Sequence, residues 1–147
     1  MKNFGDCESI RKDPKIVIKD PGSGNNRSKF RLENSKKLKI SIIQVDDCVI
    51  KQGLRCDYLV VVPDKNKSSK GQEIYIELKG SDVKHAVEQL STTIQKLTKD
   101  MSASKLCFVA STKCPINSTQ IQNIKKRFKK KYQARLTIKN GEIVHKV

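Results

Sequence analysis

The sequence predicts an α/β fold, a mixed central β-sheet flanked by α-helices, and three observations carry that expectation. Ile74, Ile76 and Leu78 alternate with Tyr75, Glu77 and Lys79 at the two-residue period of a strand. Val83, Ala86, Val87, Leu90, Ile94 and Leu97 recur at helical spacing. Lys105 to Ala110 carries a continuous apolar run, the mark of a strand buried on both faces. At 147 residues the chain has the size of one domain.

Residues 1–36 read as a polar N-terminal extension, mostly loop, with one short strand or helix around Ile16 to Ile18. Asp13-Pro14, Asp20-Pro21-Gly22 and Gly24-Asn25-Asn26 supply its turns. The folded domain is expected over 37–147. Leu38 to Val45 alternates and ends in a β-branched cluster, which gives the first strand; after a turn near Gln52-Gly53 the second runs from Asp57 to Val62. Pro63 to Gly71 is a lysine-rich turn, and Glu73 to Lys79 returns as the third strand. Gly80 ends it, and Ser81 or Asp82 can cap the helix that follows. After the Lys105 strand, Ser118 starts a second helix with Ile121, Ile124, Phe128 and Tyr132 inward, and Arg135 to Val147 reads as a hairpin turning at Asn140-Gly141. No repeat interrupts this order.

Lys and Arg number 31 against 15 Asp and Glu, a formal net charge of +16, so the surface carries a strong positive potential and its natural partner is a polyanion. No stretch approaches the roughly 20 apolar residues of a spanning helix, which excludes a membrane-spanning class and leaves nucleic acid as the expected partner. Met1 to Arg11 has acidic and polar groups and no apolar segment, so neither a secretory signal nor an anchor is read there, and a cytoplasmic protein is expected. Five cysteines, Cys7, Cys48, Cys56, Cys107 and Cys114, form no C-x-x-C pair and read as buried free thiols ahead of a structural zinc site.

The chemistry concentrates in two strands. Arg55-Cys56-Asp57 opens the second, and Glu77-Leu78-Lys79 closes the third. Strands joined by a turn run antiparallel, so the start of one lies beside the end of the next and Asp57 is expected to meet Glu77 and Lys79. Three ionisable groups at one end of an apolar hairpin are costly unless paired or solvated, and a function accounts for them better than packing does. Two carboxylates offer hard oxygen ligands to Mg²⁺, with Mn²⁺ as a substitute. The Lys79 ammonium can orient a water and stabilise charge on a phosphate.

Asp57, a strand and a turn, then Glu77-x-Lys79 followed by a helix, resembles the PD-(D/E)XK nuclease superfamily, which includes restriction endonucleases and Holliday junction resolvases. The likeness covers about Leu38 to Lys139. It implies a restriction-endonuclease-like core, a four-stranded mixed sheet with flanking helices, metal held by Asp57 and Glu77, and DNA as substrate. Cys56 stands where the family name has proline. The literal Pro63-Asp64 is a decoy, because Asp64 falls in the turn at the far end of the hairpin, several residues away along strands rising about 3.3 Å per residue. The resemblance also implies an acidic residue on a helix before the first strand, for which Glu33 is the candidate third ligand, and a helix glutamine facing the site, matched by Gln89. His85 lies one turn earlier. Asp46 and Asp47 either add a ligand or mark a turn.

Lys125, Lys126, Arg127, Lys129, Lys130 and Lys131 flank the inward Phe128 and Tyr132 and form a candidate stripe for nucleic-acid backbone, against the alternative of a solvated lysine face. The expected activity is metal-dependent DNA endonuclease cleavage serving repair, recombination or defence against foreign DNA, by a homodimer or with a partner protein. The alternative is a non-catalytic or partner-dependent nucleic-acid-binding protein that keeps the fold. An RNA-binding role fits the charge but leaves the Asp57 and Glu77 pair unexplained, and at 5% aromatic the chain has few rings for base stacking.

Overall fold

The computed structural model describes residues 4–19, 28–63, 71–80, 82–111 and 118–147, the side chains of Lys79 and Gly80 excepted. A 3₁₀ turn at Gly5–Cys7 leads into β1 (Glu8–Arg11), β2 (Lys15–Lys19), β3 (Lys29–Glu33), β4 (Ile40–Gln44), β5 (Tyr58–Val62) and β6 (Gln72–Gly80). Then come α1 (Val83–Leu97), β7 (Lys105–Ser111), α2 (Ser118–Tyr132), β8 (Ala134–Asn140) and β9 (Glu142–Lys146). The fold is mixed α/β. Six strands form one sheet in the order β1-β4-β5-β6-β7-β8, antiparallel from β1 to β6 and parallel from β6 to β8. The remaining three form a second mixed sheet, β2-β3-β9, in which β9 runs parallel to β3.

Alternation along the strands decides the layers. Leu59, Tyr75, Cys107, Val109 and Leu136 project to one face of the six-stranded sheet, where Ala86, Leu90 and Ile94 of α1 and Ile124, Phe128 and Tyr132 of α2 cover them. Val60, Ile74, Ile76, Phe108 and Ala110 project to the other, against Ile16, Phe30, Leu32 and Ile143 of the small sheet. The molecule is therefore three layers deep, helices, large sheet, small sheet, and the strands of the middle layer read as near-continuous apolar runs because both faces are buried. Among the described residues no helix is long and apolar enough to cross a membrane.

Within this middle layer β6 also buries Glu73, whose carboxylate accepts from Tyr75 Oη at 2.9 Å, Thr98 Oγ1 at 2.7 Å and the Lys99 N–H at 3.0 Å. Lys105, almost fully buried, donates to the carbonyls of Met101, Ala103 and Tyr132. Burial lowers the Lys105 pKa and the Glu73 charge works against that fall. These are satisfied buried polar groups that tie the ends of α1 and α2 to the sheet.

The structure departs from the sequence-based expectations in three places. Residues 1–36 hold three strands rather than one, and they contribute to both sheets. β2 carries Lys15 and Lys19 on its exposed face, and although it pairs with the next strand, β3, the other pairings of this region, β1 with β4 and β3 with β9, reach across other elements, so no local pattern marks them. Second, β8 and β9 do not pair with each other. Only Gly141, at φ +79°, separates them, and the chain turns there from the large sheet into the small one. Third, Cys7 and Cys48 are joined in a disulfide instead of standing as free thiols. The pairing of Glu8 with Ile43 brings Cys7 beside the loop that follows β4, a proximity that a separation of 41 residues conceals. Cys56 and Cys107 are buried free thiols, and Cys114 lies outside the described residues.

Candidate active site

Tyr58 pairs with Ile76, and the Asp57 N–H donates to the Ile76 carbonyl at 3.1 Å, so Asp57 stands opposite Glu77 at the end of the β5–β6 ladder. Both belong to the set of positions, with Leu59 and Tyr75, that faces the helical layer. Asp57 Oδ2 accepts the Leu78 N–H at 2.7 Å, which fixes the carboxylate across the strand end. Its side chain also hydrogen-bonds to the Glu77 carboxyl.

Glu77 is 7% exposed. Burial first, then the Asp57 charge and the hydrogen bond to it, then the Asp46 charge, push its pKa up to about 9 from an ordinary 4.5. Its Oε1 is buried with no hydrogen-bond partner among the described residues. A buried carboxyl oxygen left without a donor is expensive, and the groups that set its environment here are themselves acidic.

Asp46 and Asp47 lie in the turn after β4, one of the two readings the sequence offered, and the Asp46 charge also reaches Glu77. The Asp46 N–H donates to the Asp57 carbonyl at 3.3 Å, alongside the Val45 N–H at 2.9 Å, so the loop after β4 is clamped to the start of β5. Arg55 Nε donates to Asp46 Oδ1 at 2.7 Å. The signal that could have found it is the same meander logic that pairs Asp57 with Glu77: the end of β4 lies beside the start of β5.

Glu33 does not join this group. It is the last residue of β3 in the small sheet, on a strand rather than a helix, and its carboxylate lies 3.7 Å from Arg31 Nε. Gln89 does reach the segment leading into Asp57, but its Nε2 is spent on the Arg55 carbonyl at 2.9 Å, so it positions that segment. Thr93 adds a second tie, accepting the buried Cys56 N–H at 2.8 Å and donating to the Gln89 carbonyl. His85 is exposed on the first turn of α1, which Asp82 caps. The backbone of Lys79 lies where the β6–β7 register shifts between Leu78 and Gly80; its side chain, like Asp64 and Ser81, lies outside the described residues.

The six basic residues Lys125, Lys126, Arg127, Lys129, Lys130 and Lys131 are all exposed on α2, while Ile124, Phe128 and Tyr132 are buried. Among the described residues no three His, Cys, Asp or Glu side chains converge as a metal-binding group; the cluster is the Asp57 and Glu77 pair with Asp46 behind it, held by Arg55. No family model matches the chain, and no curated protein and no solved structure matches it.

Proposed function

We propose that the chain is a divalent-metal-dependent nuclease that hydrolyses DNA phosphodiester bonds on a restriction-endonuclease-like core. The observation that carries this reading is the buried, unpartnered Glu77 Oε1 set against Asp57. Two carboxylates pressed together in a site with little water are a poor arrangement for packing and a good one for a cation. The sheet supports it in part: it is mixed and flanked by helices, as the sequence resemblance implies, with an antiparallel β4-β5-β6 meander, a helix, then β7 parallel to β6, but it has six strands where the resemblance implies four.

Asp57 and Glu77 would hold the ion, with water and substrate phosphate completing its oxygen shell. Bound there, Mg²⁺ or Mn²⁺ supplies Lewis acidity to the phosphate and to the attacking water. Holding the ion would require Glu77 to give up its proton, so binding would be favoured as pH rises. Leu78 N–H holds Asp57 in place through Oδ2, and Gln89 and Thr93 hold the strand that carries it. Lys79, on the same strand, is assigned the role of stabilising negative charge on the phosphate.

Supercoiled and linear DNA incubated with wild-type protein should be cut with Mg²⁺ and left intact in EDTA. Asp57→Asn, Glu77→Gln and Lys79→Ala should each lower the rate by about a hundredfold or more, the scale of losing one preorganised charge-stabilising group. Cleavage that persists in EDTA or in Glu77→Gln would overturn the mechanism.

A second reading, a nucleic-acid-binding protein that keeps this fold without the chemistry, draws on the same pair. A hydrogen bond between the two carboxyls lets them share one proton with no metal, and among the described residues no third ligand completes a metal cluster. That protein would shift DNA in a salt-sensitive manner and cut none in Mg²⁺ or Mn²⁺.

A further inference from the structure

We infer that the cleft between α1 and α2 is a track for a single strand of DNA. The inference rests on the proposed function for its choice of DNA over RNA and for the direction in which the strand runs; the binding itself does not require catalysis.

The two helices pack on the same face of the large sheet, and between their outer halves lies a cleft of about 820 Å³. Lys84 of α1 and Arg127 and Lys131 of α2 line it, with Glu88 as its one acidic lining residue. Arg127 and Lys131 are one helical turn apart and Lys84 faces them across the cleft, so cations stand on both walls. The floor is polar as well as apolar: Ser91 and Tyr132 are hydrogen-bonded through their hydroxyls, and Gln95 Nε2 donates to Tyr132 Oη at 3.1 Å. Lys131 Nζ lies 5.4 Å from the centre of the Tyr132 ring. Val87, Ile124 and Phe128 share the lining, but cations on both walls above hydrogen-bonded hydroxyls suit a phosphodiester backbone better than an apolar peptide.

Geometry selects the single strand. The cleft holds about 820 Å³ between its two helical walls, room for a few unpaired nucleotides, whereas a duplex is wide enough to take a whole helix into its major groove of about 12 Å. A duplex therefore rides over such a cleft and a single strand enters it. Leu54, three residues before Asp57, belongs to the lining, and Gln89 of α1 binds the Arg55 carbonyl between them. A strand lying in the cleft is thereby led toward the segment that carries the carboxylate pair. Of the six cations on α2, only Arg127 and Lys131 line the cleft; Lys125 and Lys129, equally exposed and also one turn apart, do not.

That division supplies a charge-matched test. Fluorescence polarisation of labelled oligothymidylate, of a duplex and of oligouridylate is measured in EDTA across a salt series, with circular dichroism verifying the fold of each variant. Arg127→Gln with Lys131→Gln should weaken single-strand binding tenfold or more and lower the salt slope by about 1.4, two lost contacts at about 0.7 each on single-stranded nucleic acid. Lys125→Gln with Lys129→Gln, which removes the same charge, should change it threefold or less. Glu88→Gln should tighten it. Equal losses from the two double variants, a duplex preferred to the single strand, or oligouridylate preferred to oligothymidylate would overturn the proposal. Cleft-dependent binding without any cleavage in Mg²⁺ would overturn the nuclease reading alone, and cleavage with binding indifferent to Arg127 and Lys131 would overturn the cleft alone.

Discussion

Burial and the facing Asp57 carboxylate keep the Glu77 carboxyl protonated up to about pH 9, against an ordinary value of 4.5, so the metal-free native state holds a proton that the unfolded chain releases. The unfolded chain binds fewer protons throughout that window, and stability falls as pH rises. The contribution is complete below about pH 4.5 and is lost progressively toward pH 9. The melting temperature of the wild-type protein in EDTA should therefore decline between pH 5 and 9. Glu77→Gln, neutral at every pH, should remove much of that decline, and Mg²⁺ should oppose it by favouring the ionised carboxylate. A Glu77→Gln profile as steep as wild type would place the titration elsewhere. At this scale the sequence was readable where geometry is local. Asp57 and Glu77 were brought together by the antiparallel rule alone, whereas Asp46 needed the order β4-β5-β6, and Glu33 was assigned a helix that its strand, paired with Lys15 and Lys146, does not permit.

The β5–β6 hairpin sets which side chains meet, so its turn carries weight out of proportion to its size. Gly71 sits at φ +70°, and a Cβ placed there would stand 2.7 Å from the Val62 carbonyl oxygen and 3.0 Å from Val61 Cγ1. Gly71→Ala combines left-handed strain with a backbone clash and should cost about 1–3 kcal/mol, read from urea denaturation. The elements with a strong period, β5, β6, α1, β7 and α2, lie within a residue or two of where the apolar spacing puts them, since burial on one or both faces writes itself into the sequence. Asn140-Gly141 illustrates the limit. The dipeptide is a strong hairpin signal, yet here the glycine's positive φ serves a change of sheet, because β8 is already committed to β7 and β3 offers β9 an edge. Local turn chemistry specifies a bend and leaves the partner of the next strand to long-range packing.

Across the whole molecule the Cys7–Cys48 bridge fastens β1 to the loop that carries Asp46. Closing a loop with a sequence separation of 41 restrains the unfolded chain, and its removal by Cys7→Ser with Cys48→Ser should cost about 2–4 kcal/mol, measured as a loss in denaturant midpoint that dithiothreitol reproduces in the wild type and leaves unchanged in the variant. Equal midpoints with and without reductant in the wild type would refute it. Such a pairing could not be drawn from five cysteines in sequence, because it follows from β1 joining the edge of the large sheet. The turn at Gly141 has a consequence for the order in which the molecule assembles. Without β9 the small sheet is a two-stranded ribbon, and an isolated ribbon of that kind is marginal in water. Phe30 pairs with Ile143, 113 residues further along, a contact whose loop-closure entropy is met late and whose sequence separation slows folding. Refolding should therefore organise the large sheet with its helices on one face first and leave its other face bare, until β9 pairs with β3 and draws β2 and β3 down over it.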